Sequence, residues 1–152
     1  MNIKEEIYMM EKKLNELLAD LVVEYHKLQN FHWYVKGKAF FTTHAKLEEI
    51  YNGINSSIDE VAENLLMIGG KPLGSLAQFL ENSKIEEAKM ESVKTKDIYK
   101  AVLEDFEYLL GNIVEIKKLA DEEGIYLISV LMYDQIKYFS EAIWMIRQTI
   151  AE

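Results

Sequence analysis

The sequence predicts an all-α protein: a four-helix bundle in which a long crossover, carrying a short extra helix, joins the second long helix to the third. Three observations predict it. Strong helix formers (Leu, Glu, Lys, Met and Ala) recur along all 152 residues, and the only proline is Pro72, so little in the composition opposes helical backbone. Apolar residues return at three- and four-residue steps over four long stretches. Glycines punctuate these stretches, and one gap, residues 71–94, is too long for a simple turn. With 49% hydrophobic residues, a chain of this length can bury one core, which predicts a single domain over residues 1–152.

The first helix is expected from about residue 3 to 34. Ile3, Ile7, Met10, Leu14, Leu17, Leu18, Leu21, Tyr25 and Leu28 form its apolar face, and Asn2 with Glu5 three residues later gives a capping signature. Gly37 ends it. Phe40, Leu47, Ile50, Ile54, Ile58, Val61, Leu65 and Ile68 mark a second helix that closes at Gly69-Gly70, ahead of Pro72. The connector contains Ser75–Leu80, which suits a short helix, followed by a charged stretch without periodicity. Thr95 is placed to cap a third helix carrying Ile98, Val102, Phe106, Leu109, Ile113, Ile116 and Leu119. Gly124 ends that helix, and a fourth follows through Leu127, Leu131, Ile136, Phe139, Ile143, Ile146 and Ile150.

Composition also excludes function classes. With no cysteine, there is no disulfide, thiol nucleophile or sulfur-ligated zinc. The N-terminus lacks a basic segment followed by an apolar one, and no stretch is long and apolar enough to span a membrane, so a soluble cytoplasmic protein is expected. A formal charge of −9 and the lack of a basic tail argue against direct DNA binding, which draws its affinity from cations at phosphates. No glycine-rich phosphate loop and no Ser/His/Asp context occurs.

The residues with the most chemical content are His32, His44, Glu48, Asp59 and Glu63. Imidazole and carboxylate without sulfur suit iron, manganese or zinc, and a mixed set with open positions suits Fe(II). Within each of the pairs His44/Glu48 and Asp59/Glu63, the i, i+4 spacing puts both groups on one helix face. The pair midpoints lie fifteen residues apart, roughly 22 Å on a straight helix, too far for side chains to bridge. The positions are symmetric about Gly53 and Ile54. A twofold axis there would bring His44 toward a neighbour's Glu63, and Glu48 toward its Asp59, building two complete sites from two antiparallel copies. Taken singly, each acid reads as part of a solvated helix face and each histidine as structural; the joint spacing favours ligation.

Four segments extend this reading: Asn30-Phe31-His32-Trp33-Tyr34-Val35-Lys36-Gly37, Phe40-Phe41-Thr42-Thr43-His44, Ile58-Asp59-Glu60-Val61-Ala62-Glu63 and Ile68-Gly69-Gly70-Lys71-Pro72. Together they resemble the Dps family of miniferritins, the proteins of DNA protection during starvation. The resemblance covers the whole chain, most closely from about residue 26 to 87. It implies a ferritin-like bundle and a hollow homododecamer of tetrahedral symmetry, in which Fe(II) is oxidised preferentially by hydrogen peroxide and stored as ferric mineral. It places dinuclear iron centres at the twofold interface, with His32, His44 and Glu48 from one subunit and Asp59 and Glu63 from its partner. Glu63 is then the principal carboxylate, and Trp33 corresponds to a tryptophan that intercepts oxidising equivalents, its other reading being a packed aromatic.

Two departures from the family pattern stand out. Glu48 occupies a position where the family usually has Asp, which keeps the charge and changes the reach. Gly124 is followed by Ile125 and Tyr126 where the family commonly has pore-lining acids, leaving Asp121, Glu122 and Glu123 to draw cations by charge. His26 is expected at the surface, turned away from His32. No Glu-x-x-His occurs, which disfavours a ligand set held within one chain, as in larger di-iron bundles. The alternative to a ferroxidase is a non-catalytic helical assembly that binds DNA or a cell-surface partner.

Overall fold

The computed structural model describes residues 2–151, and the expected elements are present. In chain order they are α1 (Ile3–Tyr34), β1 (Val35–Lys36), α2 (Phe40–Met67), α3 (Leu76–Asn82), β2 (Val93–Lys94), α4 (Thr95–Glu123) and α5 (Tyr126–Ile150). Helices α1 and α2 form one hairpin, α4 and α5 a second, and the pairs pack on each other mainly through α1 and α4. The core between them is built from Met10, Leu14, Leu17, Leu21, Leu28, Leu47, Ile54, Val61, Leu65, Phe106, Leu109, Met132 and Phe139, and Phe106 meets Phe139 edge to face.

Helix ends follow local chemistry. Asn2 accepts from the Glu5 backbone while the Glu5 carboxylate accepts from the Asn2 N–H, a complete capping box. Ser75 and Gln78 repeat the device at α3. At the end of α2, Gly69 turns with φ 90, and the N–H groups of Gly69 and Gly70 donate back to Leu66 and Leu65. Gly124, with φ 67, closes α4 the same way through Ala120 and Asp121. Both are Schellman closures, which need a residue without Cβ strain at the left-handed position.

The crossover is held along α1 by polar side chains. Glu11 accepts from the Lys71 N–H, Asn15 bonds both Lys71 and Leu73, Asp20 accepts from Ser83 and Lys84, and Asn30 donates to Ala88. These contacts satisfy backbone groups of a segment that has little secondary structure of its own.

Two expectations are corrected. Thr95 is the first residue of α4, not its cap; the cap position is Lys94, which has no side-chain cap bond. The reason lies upstream: Val93 and Lys94 pair in parallel with Val35 and Lys36, and this two-residue ladder sets how the chain enters α4. The Thr95 hydroxyl instead meets that of Thr43, 3.0 Å away. The α1 helix ends at Tyr34, as expected, but what stops it is the same ladder and not Gly37, because Val35 and Lys36 are already extended. Gly53 also has a role within the chain: a Cβ there would collide with the Tyr138 hydroxyl of α5.

Candidate metal centre

His32 ends α1 and His44 lies in the second turn of α2, so the short link through β1 folds the two back on each other. Their rings stack with centroids 3.7 Å apart and planes 12° from parallel. The Nδ1–H of His32 donates to the His44 carbonyl at 2.6 Å, and the Nδ1–H of His44 donates to the His32 carbonyl at 2.8 Å. A carbonyl can only accept, so each Nδ1 carries a proton, and in the neutral imidazole the lone pair then lies on Nε2. Main-chain oxygens thus impose the tautomer a metal ligand needs.

Aromatic rings frame the pair. Phe40 stacks on His44 at 4.9 Å, and Tyr51 meets His32 edge-on at 5.3 Å. His32 is buried and His44 partly exposed, which leaves one open side. Trp33 lies outside this frame, 64% exposed, although it follows His32 in sequence. His26 is at the surface, as expected, edge-on to Tyr25.

Glu48 sits one turn beyond His44 and accepts from the Tyr51 hydroxyl at 3.3 Å. Burial raises the Tyr51 phenol above its ordinary value, and the neighbouring Glu48 carboxylate adds to the shift. Tyr51 is a residue that sequence reasoning missed as part of the site. Its signal was the i, i+3 spacing from Glu48, hidden because Tyr51 also reads as ordinary core.

Asp59 and Glu63 are exposed on the next turns of α2. Among the described residues, no three of His, Asp and Glu gather into a set that can hold a metal within one chain. A single copy therefore brings together His32 and His44, places Glu48 nearby through Tyr51, and leaves Asp59 and Glu63 facing outward. Of the acids near Gly124, Asp121 is engaged by the Ser129 hydroxyl and by Lys117 at 2.9 Å; these contacts hold its carboxyl below the usual range. No helix among the described residues is long and apolar enough to cross a membrane.

Comparison with known proteins agrees with this architecture. Residues 11–152 match the family of ferritin-like domains. The chain is similar to the DNA protection during starvation protein of Helicobacter pylori, 35% identical over 91% of this chain and 96% of that one. It is also similar to the DNA protection during starvation protein 2 of Bacillus anthracis, 37% identical over 88% and 91%. The crystal structure of a Dps protein from Vibrio cholerae, described as a member of a broad superfamily of ferritin-like diiron-carboxylate proteins, superposes with a TM-score of 0.93 at 31% identity, covering 99% of this chain and 96% of that one. From its crossover bundle, its paired histidines and these likenesses along nearly its full length, the chain belongs to the Dps family of ferritin-like proteins.

Proposed function

We propose that the protein is a ferroxidase and iron store that protects DNA by removing both reactants of hydroxyl-radical chemistry. The observation that carries this reading is the stacked His32/His44 pair, whose two Nε2 lone pairs are fixed side by side by reciprocal bonds to main-chain carbonyls. Two neutral imidazoles next to a carboxylate suit a divalent iron substrate and the greater charge it gains on oxidation. Asp59 and Glu63, exposed on the same helix, complete the ligand set when a second copy packs antiparallel across α2, giving dinuclear sites at a twofold interface. Such packing is isologous and closes within a larger point group, here a hollow homododecamer that stores the ferric mineral. The relatives' names, DNA protection during starvation, support the physiological role.

Hydrogen peroxide is the preferred oxidant. One peroxide takes one electron from each of two Fe(II) ions and two protons, yielding two Fe(III) ions and two waters. Delivering both electrons at one site avoids releasing a one-electron product. Glu48 supplies negative charge beside the histidines, and the Tyr51 hydroxyl limits where its longer side chain reaches.

Stopped-flow mixing of the apo-protein with Fe(II) and peroxide tests the reading. Rapid growth of ferric absorbance is expected, slowed strongly by His32→Gly with His44→Gly and by Asp59→Asn with Glu63→Gln. Equal rates in parent and variants would refute it. Light scattering should report a particle of about twelve chains.

A further inference from the structure

The parallel ladder that corrects the start of α4 also assembles a charge cluster. Its register sets Lys36 directly beside Lys94, and Lys38 and Lys96 follow two residues later on each segment. All four lysines are exposed and line one open concavity of about 430 Å³ between the starts of α2 and α4. Among the described residues no acid lines it. Among the described residues none of the four lysines makes an ion pair, whereas Lys27, Lys46, Lys117 and Arg147 each do. In a chain of net charge −9, such a concentration of unneutralised cations is a local inversion of the surface field.

Like charges directly opposite across a strand pair oppose the pairing, so Lys36 beside Lys94 is unfavourable until an anion lies between them. Lysine ammonium groups are compact point charges suited to phosphate. The same rim carries the first turns of α2 and α4, whose cap positions, Ala39 and Lys94, provide no side-chain acceptor. Apart from the Phe40 N–H, which donates to the Gly37 carbonyl, the N–H groups of these first turns add to the positive potential that the lysines supply.

We propose that this concavity binds phosphate oxyanions. Two sources share that chemistry, free inorganic phosphate and the phosphodiester backbone of DNA. Neither segment is a basic run in the sequence; the site exists because the ladder joins residues 36–38 to residues 94–96.

The test uses the full chain in its assembled state. Phosphorus NMR line broadening measures inorganic phosphate binding, and fluorescence anisotropy of a short labelled duplex measures DNA binding at low and moderate salt. Lys36→Gln with Lys94→Gln should weaken phosphate binding by about tenfold or more. Lys36→Arg with Lys94→Arg should retain it, and Lys4→Gln with Lys12→Gln, elsewhere on α1, should leave it unchanged. Circular dichroism confirms that each variant is folded. If the duplex also binds, and the Gln pair lowers the salt slope by about two, the source is the DNA backbone; if only inorganic phosphate binds, the source is the free ion. Absence of phosphate and duplex binding in the parent, equal binding in the parent and the Gln pair, or an equal loss in the Lys4/Lys12 control would overturn the proposal.

Discussion

Glu24→Gln isolates a buried ionisable group whose effect on folding has a definite sign. Glu24 is fully buried on α1, and neither of its carboxyl oxygens meets a donor. Burial pushes the carboxyl well above its ordinary value of 4.5, and the nearby Asp105 carboxylate pushes it further. Below the unfolded value both states are protonated, and the group's contribution to stability is fully present. As pH rises past that value the unfolded chain releases a proton that the folded chain retains, so stability is lost until the folded carboxyl itself ionises. The loss accumulates at about 1.4 kcal/mol per pH unit, the free energy of one proton. The variant has no such proton, and its amide can donate to Asp105. Denaturation measured on both proteins at equal concentration, from about pH 4 to pH 8, should therefore show a stability difference that is flat at the acid end and then opens in the variant's favour with that slope. Parallel profiles would show that Glu24 ionises in the folded state as it does in the unfolded chain.

Two further substitutions probe the packing. Lys27→Met removes the partner of Asp105, which it meets at 2.9 Å with both side chains nearly buried, and leaves that carboxylate without a cation; a loss of about 3–5 kcal/mol is expected in denaturant titration. Gly53→Ala places a methyl group against the Tyr138 ring and hydroxyl. It should lower stability by about 1–3 kcal/mol despite the better helix propensity of alanine, and Tyr138→Phe should recover part of the loss.

The elements legible in the sequence were those with a local cause. Asn2/Glu5, Ser75, Gly69 and Gly124 act within one turn of backbone, and the apolar period of each long helix repeats enough times to be read. The β1–β2 ladder was not legible, because two residues per strand carry no period and the pairing joins distant segments. Thr95 suits a cap by residue type, but the ladder fixes the residue before it, so the cap position falls at Lys94. At the site, spacing singles out His32 and His44, whereas their mutual bonding depends on how the extended and turning residues 35–39 return the chain. The burial of Glu24 was equally hidden, since one acid on a long helix reads as solvent-facing. The antiparallel pairing that would employ Asp59 and Glu63 rests on their symmetric placement about Gly53, which packing against Tyr138 independently accounts for.

Each imidazole hydrogen-bonds to a peptide oxygen and not to a side chain, while Phe40 and Tyr51 pack against the rings. Any residue able to keep the α1–α2 corner closed can therefore stand beside them without rotating either ring. Removing one imidazole deletes one of the two clasp bonds and the ring stacking, and so loosens the corner between the helices, while the other ring keeps its peptide acceptor. Substitution around the corner is thus buffered, while substitution of either histidine is felt twice, once by the bound ion and once by the backbone.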